Sequence, residues 1–282
     1  MDKPICLVTG ATDGIGKATA TALARNGYVV VLAARNPAKA ATVTKEIVAS
    51  TGNRDVDYLT ADLRSLAQLR RLADTFTQRY PRLDVLINNA GVYMPQRVLT
   101  EDGYETTFQV NYLSQFYLTH LLLNELKQSP QGRVINLSSS VYRVGKFDPD
   151  NLQSEQRFST LGAYAASKLC VLLFTIELAH RLGPTRVTAN AVHPGIVRTP
   201  MMTGAPGFFR AISYAALPFS LSPNEGAATS VFLASSADGA QVSGQYFTKA
   251  KVKKVKTASN TQANRDLLWT LSMDAYQRVL RP

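Results

Sequence analysis

The feature that most constrains this chain is a rhythm. Seven short runs rich in β-branched and other apolar residues recur along it: Ile5–Thr9, Tyr28–Ala33, Asp55–Thr60, Val85–Asn88, Arg133–Leu137, Arg186–His193 and Gln245–Phe247. Several are apolar at consecutive positions, as strands covered by helices on both faces must be. Helical patterns fill the gaps. Ile15–Asn26 follows the first run. Pro37–Ser50 has Asn36 as N-cap and Pro37 at its first position, and Ser65–Tyr80 opens on Ser65 and Gln68, which predict a capping box. Strand and helix alternating in this way predict an α/β fold, a doubly wound parallel sheet of about seven strands.

No internal repeat, linker or low-complexity tract interrupts the rhythm, so a single domain over residues 1–282 is expected. One segment breaks it. Met201–Ser222 carries Met201, Met202, Phe208, Phe209, Tyr214 and Phe219 among Gly204, Pro206, Gly207 and Pro218. A long, interrupted, aromatic-rich segment predicts a lid over an apolar pocket, at about residues 200–222. Thr261–Leu280 reads as a C-terminal helix that closes the pocket or makes an interface.

Composition narrows the function classes. Apolar residues make up 45% of the chain and charged residues 18%, the balance of a globular domain with a sizeable core. No apolar run reaches bilayer-spanning length, and the residues before Ile5 are too few and polar for a signal peptide, so a cytoplasmic location is expected. Cys6 and Cys170 read as small buried hydrophobes; they form neither a disulfide framework nor a metal spacing, and no metal is expected. The formal charge of +11 includes a cluster at Lys249, Lys251, Lys253, Lys254 and Lys256. That cluster reads as a solvated edge, so no nucleic-acid partner is expected; attraction of a phosphorylated cofactor is the simpler use of positive charge.

The first strand runs into Thr9-Gly10-Ala11-Thr12-Asp13-Gly14-Ile15-Gly16 and then a helix. Glycines suit a tight turn that a pyrophosphate must approach without a Cβ in the way, and the helix N-terminus offers N–H groups to it. The spacing differs from G-x-G-x-x-G. The second strand ends Leu32-Ala33-Ala34-Arg35-Asn36, with no carboxylate to hold the ribose hydroxyls of NAD. Arg35 instead suits the 2′-phosphate of NADP(H).

Tyr164 and Lys168 stand four residues apart on a long apolar helix, and so share a face. A phenol titrates near ~10; a neighbouring ammonium lowers that value and readies the group for proton transfer at a carbonyl or alcohol oxygen. Tyr142 and Lys146 have the same spacing. They sit in a glycine-containing loop after Ser138-Ser139-Ser140, where nothing puts them on one helix face.

Taken in order, the glycine turn, Asp62-Leu63, Asn88-Asn89-Ala90-Gly91, Asn111, the serine triplet, Tyr164/Lys168 and Pro194-Gly195-Ile196-Val197-Arg198-Thr199 resemble the short-chain dehydrogenase/reductase family over nearly the whole chain. The resemblance implies a Rossmann sheet in the order 3-2-1-4-5-6-7. It implies that Asp62 and Leu63 flank the adenine, that Asn89, Ala90, Gly91 and Val110 line the cofactor cleft, and that Pro194, Gly195, Val197 and Thr199 lie at the nicotinamide. It implies a proton relay in which Asn111 holds a water beside Lys168. The inserted segment Lys146–Leu161, with Val192-His193-Pro194-Gly195 and Gly244-Gln245-Tyr246-Phe247, is similar to the retinol dehydrogenase branch, here without that branch's N-terminal anchor. Aligned on that branch, the serine that polarises the carbonyl is Ser139, with Ser138 as fallback. His193, His120 and His180 are read as structural.

The expected activity is NADPH-dependent reduction of apolar aldehydes or ketones. The alternatives are an NAD-dependent alcohol or sterol dehydrogenase, a light-driven reductase of a chlorophyll precursor, and a non-catalytic NADP-sensing regulator. The expected partner is a small apolar carbonyl or alcohol, and a homo-oligomer is open.

Overall fold

The structure is a computed structural model that describes residues 3–198 and 220–280. Its elements begin β1 (Ile5–Thr9), α1 (Gly14–Arg25), β2 (Val29–Ala34), α2 (Pro37–Thr51), β3 (Val56–Thr60), α3 (Leu66–Arg79) and β4 (Val85–Asn88). Thr106–Phe108, Gln109–Leu113 and Ser114–Leu121 then run on as one helix, α4, whose middle section is a π-helical turn. There follow α5 (Leu123–Gln128), β5 (Arg133–Leu137), α6 (Thr160–Leu182), β6 (Thr188–His193), α7 (Pro223–Ser235), α8 (Ala237–Ala240), β7 (Tyr246–Thr248), β8 (Lys251–Val252) and α9 (Gln262–Leu280).

The strands form a sheet in the order β3-β2-β1-β4-β5-β6-β7-β8. Every pair from β3 through to β7 is parallel, and β8 adds an antiparallel edge. The predicted order holds with this one addition. A two-residue strand, Lys251–Val252, is too short to show apolar alternation, and it exists because Lys249 and Ala250 turn the chain back through the left-handed region, at φ 51° and 54°.

Apolar side chains fill both faces of the sheet. One face is packed by α3, α4, α6 and α9, the other by α1, α2 and α7. Cys6 and Cys170 are buried at 0% and 1% exposure within these layers. Helix caps set several of the turns. Asn36 Oδ1 accepts from Lys39 N at 3.0 Å, and Gly52 in the left-handed region closes α2. Ser65 caps α3 as predicted, but the capping box is not completed: Gln68 Oε1 accepts from Asp62 N at 3.0 Å instead. Gln68 therefore ties α3 to the end of β3.

Helix α6 is apolar and long enough to cross a membrane by length and composition, with a mean hydropathy of 1.5 over its best window, against the expectation that no segment would pass. It is a core helix: 72% of that window is buried inside the protein. Nearly all the predicted aromatic lid, residues 199–219, lies outside the described residues, as does Thr199.

Candidate active site

The site forms where the C-terminal ends of β1, β4, β5 and β6 meet, the position at which open α/β sheets receive ligands. Thr9, the last residue of β1, and Asn89, just after β4, stitch two of those ends together. Thr9 Oγ1 accepts from Asn89 N at 2.9 Å and Ala90 N at 3.0 Å, and Asn89 Nδ2 donates to Thr9 O at 2.7 Å. Gly10 follows at φ 63° and Gly14 at φ 47°. A Cβ on Gly16 would collide with the Gly10 carbonyl and Asn89 Nδ2. Glycine at these positions is thus imposed by backbone conformation and close approach. Asp13 caps α1 by accepting from Gly14 N at 2.8 Å, and its other oxygen pairs with Lys39 Nζ at 2.7 Å. That lysine holds the Asp13 carboxyl below its usual range. Thr12 and Ile15 lie in the same turn, and Ile15 packs near Gly226 at the start of α7.

Arg35 is exposed immediately after β2. Asp62 lies after β3, the neighbouring strand. Burial pushes its carboxyl up, but hydrogen bonds from Arg64, the charge of Arg64 and that of Arg35 hold it below the usual range. Leu63 O accepts from Gln109 Nε2 at 3.4 Å. At the other end of the cleft Gly195 has φ 91°, and Val197 bridges to Leu221. These residues fit a dinucleotide: the glycine turn leaves room for phosphates at a helix N-terminus, and a basic side chain stands where the adenosine ribose would lie.

The residues expected to handle protons converge beside this cleft. Ser159 starts α6 as its N-cap, accepting from Gly162 N at 3.1 Å, and the helix presents Tyr164 and Lys168 on one face. Lys168 Nζ lies 5.7 Å from the centroid of the Tyr164 ring and donates to Leu137 O at 2.8 Å. Lys168 is 4% exposed, and burial pulls its pKa down to about 8. Burial pushes the Tyr164 phenol up to about 12, while a hydrogen bond with Ser139 works the other way. The expected lowering of Tyr164 by Lys168 is therefore not what dominates; desolvation does, and it keeps the phenol protonated.

The serine triplet divides its roles. Ser138 Oγ is committed to Lys168 O at 2.8 Å, while Ser139 faces Tyr164 and caps the 3₁₀ turn Ser140–Val144. Of the two candidates, Ser139 is the one beside the phenol. Tyr142, the competing tyrosine, is fully buried, accepts from Lys256 N at 3.2 Å and stacks edge-on against Tyr246.

Asn111 sits in the π-helical turn with Val110, both buried. Its carboxamide is fully engaged: Oδ1 accepts from Val92 N at 2.7 Å, and Nδ2 donates to Val92 O and Ser167 Oγ, each at 3.0 Å. Asn111 thereby fixes the segment after β4 that carries Tyr93. The Tyr93 ring meets Tyr164 edge-on at 5.4 Å, and burial followed by the neighbouring Tyr164 pushes its phenol up to about 12. Sequence reasoning missed Tyr93, because its only signal is adjacency to Asn89-Ala90-Gly91. His193, at the end of β6, is held near pKa 4 by burial and then by Arg143, so it is neutral at physiological pH. A separate cleft of about 430 Å³ lies between β3 and α3, lined by Asp57, Thr75 and Arg79, away from all these groups.

Sheet order, glycine turn and the Ser139–Tyr164–Lys168 grouping define a nicotinamide-dependent oxidoreductase of the α/β class. The chain belongs to the short chain dehydrogenase family, whose profile matches residues 4–206. Its members act on CH–OH donors with a nicotinamide cofactor. The chain is 40% identical to Retinol dehydrogenase 12 of Mus musculus over 271 residues, covering 96% of this chain and 85% of that protein. Among solved structures it is similar to a putative uncharacterized protein from Mycobacterium paratuberculosis, with a TM-score of 0.78, 29% identity and coverage of 98% and 96% of the two chains. It is also similar to a variant of actinorhodin polyketide ketoreductase with NADPH, with a TM-score of 0.70, 29% identity and coverage of 87% and 95%.

Proposed function

We propose that the chain reduces apolar aldehydes or ketones with NADPH, in a reversible reaction. The observation that carries this reading is the Ser139–Tyr164–Lys168 grouping, with Tyr164 held as a neutral phenol by burial. A protonated phenol is the form that reduction needs, because the oxygen of the substrate must gain a proton as its carbon gains hydride. Bound along the glycine turn, the nicotinamide cofactor supplies that hydride. The Ser139 hydroxyl donates to the substrate oxygen and stabilises the charge that develops there. Tyr164 Oη gives its proton to the same oxygen. Lys168 lies close enough to stabilise the phenolate left behind, and its ammonium is held in place by Leu137 O. Since the Asn111 side chain is committed to Val92 and Ser167, what it can offer a water near Lys168 is its backbone carbonyl, in a π-helical turn whose carbonyls leave the ordinary helical ladder.

Arg35 supports NADPH over NADH, as does the NADPH complex of the ketoreductase neighbour. Consumption of NADPH across a panel of aldehydes and ketones tests the reading; folded protein that turns over none of them would sink it. Tyr164→Phe should lower turnover at least a hundredfold with cofactor affinity retained. Arg35→Asp should shift preference toward NADH, and an unchanged preference would count against the phosphate contact. The likeness to a retinol dehydrogenase favours a second reading, oxidation of an alcohol with NAD. Running the same panel with alcohols and both cofactors separates the two.

A further inference from the structure

The antiparallel edge of the sheet carries a feature that catalysis does not use. Between Lys249 and Lys256 five of eight residues are lysine, and all five are exposed. None of the five side chains forms an ion pair or a side-chain hydrogen bond among the described residues. The segment is nonetheless held rigidly. Ala250 N donates to Thr229 Oγ1 at 3.1 Å, Lys253 N to Tyr246 O at 2.8 Å, and Lys256 N to Tyr142 Oη at 3.2 Å. Backbone is fixed while side-chain charge is left free.

Its position ties it to the catalytic cleft. Thr248, the last residue of β7, pairs with His193 at the end of β6, so the Lys249–Ala250 turn lies at the same end of the sheet as Ser139. Tyr142, which takes the Lys256 amide, is three residues beyond Ser139. Apolar side chains stand exposed at this end, Val144 at 66%, Ile196 at 55% and Val252 at 48%.

We propose that this lysine edge docks the protein onto an anionic lipid surface, bringing the mouth of the cleft against the bilayer. Lysine is a compact point charge suited to a diffuse negative potential, whereas bidentate recognition of nucleic acid favours arginine. No aromatic residue is interleaved with the lysines to stack on bases. An exposed valine among the charges, Val252, suits the headgroup boundary. The choice of lipid rests on the apolar substrate proposed above, since such a compound partitions into bilayers. The net charge of +11 adds a long-range pull of the same sign.

Co-sedimentation of the full chain with phosphatidylcholine vesicles, with and without phosphatidylserine, tests the proposal. Binding is expected only when phosphatidylserine is present, and it should be lost in high salt. Each lysine near such a surface is worth roughly fivefold in partition. The triple variant Lys251→Gln/Lys253→Gln/Lys254→Gln should therefore bind on the order of 100-fold more weakly. It should keep its circular dichroism spectrum and its turnover of a short, water-soluble aldehyde. Equal binding by the variant, equal binding to phosphatidylcholine alone, or displacement from vesicles by duplex DNA at matched charge would overturn the proposal. Wild-type protein that binds vesicles but turns over no carbonyl strikes the catalytic reading and leaves the surface standing. Turnover without vesicle binding does the reverse.

Discussion

Lys168 shows how a site is built against the preferences of its own residues. A lysine at 4% exposure with a pKa near 8 is disfavoured in its charged form, which must exist at neutral pH in the unfolded chain. The folded state binds fewer protons than the unfolded state between about pH 8 and the ordinary lysine value, so this residue's contribution to stability rises with pH across that window and is lost as pH falls through it. Lys168→Met should therefore stabilise the protein at pH 7. A shift from 10.5 to about 8 is worth about 3 kcal/mol, less about 1 kcal/mol for the hydrogen bond to Leu137 O. Urea unfolding should show a net gain of about 2 kcal/mol at pH 7 that disappears toward pH 10.5, together with loss of turnover. A destabilised variant at pH 7 would show that the lysine is held by contacts stronger than the burial it suffers.

At the scale of elements, α9 is attached by a polar cluster as well as by apolar packing. Glu177 on α6 has a side chain only 2% exposed and pairs with Arg181 at 2.6 Å and with Arg265 of α9 at 3.4 Å. Gln262 Nε2 adds a bond to the same carboxylate at 3.2 Å. Trp269 seats the helix below this cluster, edge-on to Phe116 and under the guanidinium of Arg181 at 4.5 Å. Removing one partner of a buried pair leaves the others without compensation, so Glu177→Ala should cost about 3 kcal/mol. Trp269 is the only tryptophan in the sequence, so its fluorescence will report whether α9 loosens before the rest unfolds. Elements of this kind also mark what sequence could and could not tell. Strands β1, β4 and β5 were legible to the residue, because their apolar runs are bounded by turn residues. The pairing of Tyr164 with Lys168 was legible too, being a matter of helical spacing. The Asn111–Val92 clamp spans nineteen positions and uses backbone atoms, which leave no trace in residue type. Gln68 looked like half of a capping box and was drawn to Asp62 by tertiary packing. β8 was hidden because its two residues, Lys251 and Val252, are too few to carry a strand pattern.

For the molecule as a whole, the two ends of the sheet and the two helical layers are finished differently. The face of α4 and α6 is sealed by α9: Tyr112 Oη meets Ser272 Oγ at 2.6 Å, and Tyr117 packs edge-on to Tyr276. The β8 edge carries lysines with no ion pair among the described residues, and these oppose pairing with a second copy. We therefore expect light scattering to give the mass of one chain; a dimer whose contacts map to α4 and α6 would overturn that expectation. The cover has a further consequence, for biosynthesis. The most apolar of the described helices, α6, leaves the ribosome well before α9, which follows it in the chain. Through that interval the nascent chain carries a helix that by composition could be mistaken for a membrane span, and nothing yet made can close over its α9-facing side. Chains stopped short of Gln262 should therefore be found with chaperones or in aggregates, not as a smaller active enzyme.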